Sequence, residues 1–516
     1  MASSGMSHVQ TTRVPGTPIK LVHVLLLTGL SVGALVWGAS LIVGEQESHQ
    51  VEYLLLLGAY AVASASFILY RVRENYLRLF DIPLYLTVLV FVEFGLAPLE
   101  CFIEPAQLDY HFHGNLDFLS KALLYVLFGM AAFWTGCMLI ESRRGRKPPQ
   151  ELTGTSGRKI DRRWARIVQA AVVVYATSFA TKVYLISHHV YSYLASESLY
   201  FQNLASMQVL YFIASLGTYG LIVVSIERYL HPNDSRRKLL FATMFTSECF
   251  WGLISGMKSL LIQNFIIVAV ISSLIQVKFR KGWLVAALLG LIVLYPISKE
   301  YRSLVRSGEG TTFTGALEAG PEALRRVNRD EPGSGPVIES GWRSAVARLD
   351  LLQNVALLMC LGRRAAFVQD DARWWMLPFY PFVPRFIWHS KPILNEGGRF
   401  TIALGYGTVN AASSATAVTY PGDLYVSHGL LGIVSGMFLL GLVGQWLTNI
   451  VSRRFDKRAL FIYASMFLTA TNLEIGFFSF WSGFLKAFVI FSILAWIVYG
   501  ARLQKAKNWY PATHAS

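Results

Sequence analysis

The chain is poor in charge, in cysteine and in the short motifs of nucleotide and metal chemistry. Only 15% of its 516 residues are charged, against about 25% in ordinary soluble domains, so little of it is suited to a water-facing surface. It holds four cysteines, Cys101, Cys137, Cys249 and Cys360, and no CxxC pair, which leaves no zinc-ribbon spacing. Cys137 and Cys249 fall in apolar runs and are expected to pack as small apolar residues. A bridge between Cys101 and Cys360 is the one disulfide left open. Walker and Rossmann motifs are missing. His111 and His113, near Asp109, form an HxH pair too weak to specify a metal. No cofactor and no metal are therefore expected. The first apolar run is long enough to span and is followed by no small-residue cleavage site, so no cleaved signal peptide is expected. No internal repeat or low-complexity segment occurs.

What is abundant is hydrocarbon. The chain is 54% hydrophobic, gathered in runs of roughly 17–25 residues, the length of a helix crossing a bilayer core. These runs predict about twelve spans, near 21–43, 51–70, 79–97, 117–140, 165–187, 204–226, 238–255, 260–277, 283–298, 429–449, 459–476 and 482–501. The fold class is thus all-α, a polytopic membrane protein with one large extracytoplasmic loop. Three regions follow: an N-terminal membrane bundle at 1–298, the loop at 299–428, and C-terminal membrane helices with a cytoplasmic tail at 429–516.

A formal charge of +15 would suggest nucleic acid if it were spread over a surface. Instead the basic residues crowd alternate short loops: Arg71 to Arg78, Arg143 to Arg166, Arg228 to Lys238, Lys278 to Lys281 and Arg453 to Arg458. The loops at 44–50, 98–116, 188–203 and 477–481 hold no Lys or Arg. By the positive-inside rule both termini are cytoplasmic, and no nucleic-acid partner is expected. Residues 299–428 then lie outside, in a loop too long for its own charges to count. Within it, Trp342 to Val368 has helical apolar spacing, suited either to an interfacial helix or to one packed on the bundle.

The candidate chemistry lies on that outer face. Lys258, in the turn SGMKS, is either a snorkelling lysine or a phosphate ligand beside a helix N-terminus. Lys299, Arg302 and Arg306 share one face if the preceding helix continues. They would meet lipid headgroups in general, or neutralise a lipid-linked phosphate, arginine doing so bidentately. In YPFVPRFIWHSKP, Pro384 and Pro392 discourage helix and leave a loop presenting Arg385, His389 and Lys391. Trp388 there suits either the interface or a sugar ring, and Arg399 follows. Asp423 and His428 close the stretch. Either could accept a hydroxyl proton, but Asp423 is equally suited to cap a helix. Within the spans, Lys121, Lys182, Glu248 and Lys486 are the notable ionisable residues.

Pro384-Arg385, Trp388 and Lys391-Pro392 resemble the PRxxWxxKP stretch of Wzy-type oligosaccharide repeat-unit polymerases, which build O-antigen and exopolysaccharide. Gly422-Asp423-Leu424-Tyr425 and His428-Gly429-Leu430-Leu431-Gly432 resemble that family's entry to the next span. Gly256-x-Lys258 is similar to its turn of a small residue plus a cation, and Arg348 with Asp350 to a recurrent pair in its loop. The chain departs from the pattern at His389-Ser390, at Asp423 for Glu and at His428 for an aromatic.

The resemblance implies a metal-independent glycosyltransferase acting on undecaprenyl-diphosphate-linked oligosaccharides among membrane lipids, with a chain-length regulator and a flippase as partners. Lys258, Arg302, Arg306, Arg385, Lys391 and Arg399 would hold the diphosphate, Trp388 and His389 the sugar, and Asp423 and His428 would act on the acceptor. An O-antigen ligase would use the same donor. A transporter, the reading from a different class, would favour paired repeats and charged broken helices, and the sequence has neither.

Overall fold

The structure is a computed structural model. It describes residues 45–73, 80–99, 117–140, 160–191, 204–275, 297–298, 300–305, 313–327, 349–362, 365, 377–383, 387–388, 396–405, 416–453 and 456–499. Among the described residues the regular structure is helical, with no strand. Seven helices are long and apolar enough to cross a membrane: Val51–Arg71, Ile82–Leu99, Asp117–Ile140, Ile167–Ser187, Val209–Leu230, Tyr420–Ser452 and Phe477–Tyr499. Each matches an apolar run. The expected spans near 21–43 and 283–298 fall wholly or mostly outside the described residues. The remaining three are helical, at Ser235–Ile254, Lys258–Leu274 and Lys457–Ala470, but are not among the seven.

The chain divides into two compact units, Met1–Tyr76 and Leu77–Ser516. The first contributes α1 (Glu45–Arg73). The second begins with α2 (Ile82–Phe91), continued by a π turn at Val92–Leu96 and a 3-10 turn at Ala97–Leu99. Then come α3 (Asp117–Ile140), α4 (Ile160–Ser187), α5 (Leu204–Leu230), α6 (Ser235–Ile254) and α7 (Lys258–Leu274). The remainder is α8 (Phe313–Val327), α9 (Leu352–Leu361), α10 (Glu396–Ala403), α11 (Tyr420–Arg453), α12 (Lys457–Ala470) and α13 (Phe477–Tyr499).

The central pair is α3 with α11, and small residues bring it together. A Cβ on Gly441 would stand 2.1 Å from the Phe133 carbonyl oxygen, and one on Gly136 2.3 Å from that of Phe438. In a bilayer, where lipid is as apolar as leucine, such close backbone approach is what drives helices together. The two run parallel. Cys137 Sγ donates to the Gly441 carbonyl (3.4 Å), and Asn449 donates from Nδ2 to the Ile140 carbonyl (3.1 Å). Cys137 thus packs as a small core residue, as the sequence suggests.

Polar groups mark one end of the second unit. Thr448 donates to Asp81 (2.9 Å), and the Tyr463 hydroxyl donates to the Phe80 carbonyl while accepting from the Ile82 amide. Buried Glu227 meets Arg237 and Lys457, joining α5, α6 and α12. Asp234 caps α6 by accepting from the Arg236 amide at 2.9 Å, and the basic loops around Arg228, Arg236 and Lys457 lie here. At the opposite end are the π turn, the start of α11 and the start of α13.

Two expectations from the outer loop change. The helix expected over Trp342–Val368 would contain Asp350, but the described helix begins only at Leu352. Asp350 is buried and accepts from the Gln353 amide at 3.2 Å, so it caps rather than continues the turn. That helix, α9, buries Leu352, Val355 and Leu358 against α3 and α11, so it is packed on the bundle. The span expected from residue 429 is preceded by a further helical segment from Tyr420, joined to it through a break at His428 (φ −145°) and Gly429 (φ 60°). Pro421 is tolerated because it lies in the first turn, where the amide it lacks would have no partner.

Candidate active site

The site forms where three distant pieces of chain meet at the N-terminus of α13. Glu396 opens the short helix α10. Asp423 lies in the first turn of α11. Gly476 precedes α13. The Phe478 amide donates to Asp423 Oδ2 at 3.0 Å, and the Ser479 hydroxyl donates to Glu396 Oε1 at 2.8 Å. Asp423 is therefore a helix cap, but of α13 rather than of its own helix. The cap of α11 is Thr419, whose Oγ1 accepts from the Gly422 amide at 3.1 Å. Unsatisfied amides and the helix dipole make an N-terminus a natural seat for carboxylates.

Gly476 sets how close the two carboxylates come. A Cβ there would stand 2.1 Å from Glu396 Oε2 and 3.0 Å from Asp423 Oδ2. Those oxygens therefore lie within roughly 5 Å of each other, a range in which like charges strongly disfavour double ionisation. Burial first, and the Asp423 carboxylate second, push the Glu396 carboxyl from its ordinary value up to about 8, against the opposing hydrogen bonds from Ser479 and Gly476. Ionisation of one carboxyl therefore disfavours ionisation of the other. This is the arrangement used when one carboxyl must give a proton and the other take one.

The surroundings extend the acidic character. The Thr419 amide donates to the Glu474 carbonyl at 3.4 Å, and Thr419 has φ 68°, an uncommon state for a β-branched residue that is found most often at functional sites. Glu474 is within electrostatic reach of Glu93 in the π turn of α2. Glu93 Oε2 is buried without a hydrogen-bond partner, and its carbonyl accepts from the Leu351 amide at 3.1 Å. Single π turns inside α-helices are common at functional sites. The Tyr420 ring packs on Phe477 and Phe480.

The candidates of the sequence separate into groups. Asp423 is buried in the pair. Arg399 is partly buried on α10, one turn after Glu396. Trp388 stands edge-to-face on Tyr380 (centroids 5.1 Å apart), in a 3-10 turn at Leu377–Phe382 that packs on α13. His428 is exposed at the kink itself, while Asp423 is buried in the helical segment before it. Arg302 joins the turn that carries Lys258, donating from Nε to the Gly256 carbonyl at 2.8 Å. Arg306, Arg385, His389 and Lys391 lie outside the described residues, as does the side chain of Lys258. So does Cys101, and with it any bridge to Cys360.

The ionisable residues in the spans also find places. Lys182 and Glu248 form a buried ion pair at 2.6 Å. Gly217 makes room for it, since a Cβ there would stand 2.4 Å from Glu248 Oε1. Lys121 lies over Tyr125, which meets Tyr425 of α11. Lys486 is exposed on α13. Sequence reasoning passed over Glu396, Glu474 and Gly476 as site residues. The available signal was the pair of glycines after Glu396, which free it from bulky neighbours in an otherwise apolar stretch.

Among the described residues no cluster of three or more His, Cys, Asp or Glu is placed to hold a metal ion. The chemistry the residues can perform is proton transfer by paired carboxyls, beside a cation on α10.

Residues 166–499 match the family described as Domain of unknown function (DUF8712). The match takes in most of α4 and everything through α13, including Glu396, Asp423 and Gly476. No curated protein and no solved structure matches the chain.

Proposed function

The chain belongs to the DUF8712 family, and we propose that it polymerises lipid-diphosphate-linked oligosaccharide units by glycosyl transfer. In this reading it crosses the bacterial inner membrane about twelve times, has both termini in the cytoplasm and works on the outer face. The observation that carries the proposal is the Glu396–Asp423 pair, two carboxyls brought together over Gly476 at the end of the bundle away from the basic loops.

The transfer needs two things. The acceptor hydroxyl must lose its proton as its oxygen bonds to the anomeric carbon, and the pair can take that proton. The bond from the anomeric carbon to the phosphate oxygen breaks, and its electron pair leaves with the diphosphate, which needs cations. Arg399 lies nearest in the chain to the carboxyls. Arg302, Arg306, Arg385, Lys391 and Lys258 are the further candidates, with Trp388 and His389 toward the sugar. His428, exposed at the kink, suits the acceptor's approach better than the proton transfer itself.

The test is the glycan ladder of cells carrying Asp423→Asn or Glu396→Gln. Both variants should insert normally and leave one-repeat products, with long chains reduced at least about 100-fold, the lower end of the range general acid–base catalysis supplies. Long free lipid-linked chains would instead identify a ligase. An unchanged ladder in both variants sinks the proposal.

A further inference from the structure

The turn between α6 and α7, together with α8, encloses an apolar cavity of about 280 Å³ that the carboxylate pair does not use. Leu253, Met257, Leu261, Tyr301, Leu317 and Gly320 line it. An engineered apolar cavity of about 150 Å³ already admits a benzene ring, so this one has room for a run of branched hydrocarbon. It is not a sealed packing defect. Leu253 and Leu317 on its wall are 51% and 43% exposed, and in a membrane such side chains face lipid.

Its rim is of opposite character. The Tyr301 hydroxyl donates to the Ile254 carbonyl, and Arg302 Nε to the Gly256 carbonyl, both at 2.8 Å, so a guanidinium is fixed to the turn. Gly256 has φ 67°, which lets the chain reverse tightly there. Then α7 starts, with no side chain capping its N-terminus, so the positive end of its dipole joins Arg302. On α8 the alanines Ala316, Ala319 and Ala323 face inward, while Phe313, Leu317 and Leu324 are exposed. Such a face suits the membrane interface, where hydrocarbon meets headgroup.

We propose that this cavity seats the hydrocarbon of an isoprenyl phosphate, with the phosphate held at the rim by Arg302 and the first turn of α7. An apolar well alone would suit a neutral lipid, and a cationic rim alone would suit free phosphate. Together they select an apolar chain with an anionic head. The choice of isoprenyl over acyl lipid rests on the proposed lipid-linked donor, and adds where its carrier chain is held.

The test uses the full chain in nanodiscs of phosphatidylcholine with a diazirine-bearing isoprenyl phosphate. Photolabelling should fall on residues 250–262 and 313–320. A Cβ on Gly320 meets nothing within 4 Å, so Gly320→Phe should fill the cavity and cut labelling about tenfold, equivalent to roughly 1.4 kcal/mol. Leu317→Ala, which widens it, should keep the label. Should Gly320→Phe fail to fold, Leu253→Trp fills the space from α6. Excess unlabelled isoprenyl phosphate should remove the label, and excess phosphatidylglycerol should not. Full labelling of a folded, filled variant, or equal competition by phosphatidylglycerol, overturns the proposal. Glu396→Gln separates the two ideas. If it and Asp423→Asn both keep label and long glycan, the cavity stands and the polymerase falls. If it loses glycan while the filled variant still labels, the reverse holds.

Discussion

At the scale of single residues, the most consequential atom is one that is missing, the Cβ of Gly476. Gly476→Ala would push a methyl to 2.1 Å from Glu396 Oε2 and force the carboxylate aside. A displacement of about 1 Å at a reacting group can cost 100-fold, so this variant should shorten the glycan ladder as severely as Asp423→Asn. A full-length ladder from Gly476→Ala would show that the pair is not held for chemistry. Glu396 gives a second expectation. In the folded protein it keeps its proton up to about pH 8, whereas its ordinary value is 4.5. Between those values the folded state binds more protons than the unfolded chain, so stability falls as pH rises through this window and levels off above it. Thermal unfolding of purified protein from pH 5 to 9 should show that loss, and Glu396→Gln should flatten it. Equal slopes for the two proteins would mean that Glu396 is not held protonated.

At the scale of elements, packing by absence recurs. The α3–α11 pair is held by contacts that only glycine permits, and α13 offers an internal comparison. Gly441→Leu must displace the Phe133 carbonyl, whereas a Cβ on Gly483 meets nothing within 4 Å. Overpacking typically costs about 1–3 kcal/mol. Gly441→Leu should therefore lower the unfolding temperature in detergent, and Gly483→Leu should leave it unchanged. Equal behaviour would deny the close approach. Hydropathy made these long helices legible, because a run such as Phe477–Tyr499 has one stable way to satisfy its backbone in lipid. It could not find the start of α11, since Pro421 and Gly422 look like a turn and only their place at Thr419's cap makes them helical. Nor could it tell that α9 packs inside, because the apolar spacing from Leu352 to Leu358 is the same for a buried helix and an interfacial one. The carboxylate pair was half legible. Asp423 stood out beside a helix start, but Glu396 reaches it only through Gly476, a meeting of three segments that no local spacing encodes.

At the scale of the whole molecule, the second unit has two unlike ends. One gathers Glu227, Arg237 and Lys457 among the basic loops. The other gathers Glu93, Glu396, Asp423 and Glu474. A membrane potential and an asymmetric supply of substrate make these ends inequivalent, and basic loops stay where translation leaves them. If the glycan units arrive from outside, the carboxylate end must face them. Asn233, exposed in the turn between α5 and α6, and Ile387, exposed beside Trp388, report on opposite ends without touching the pair. In intact cells, a membrane-impermeant maleimide should label Ile387→Cys and spare Asn233→Cys until the membrane is opened. The opposite result would turn the protein over. It would deliver the carboxylates to the cytoplasm, and an outer-face polymerase could not be built from this chain.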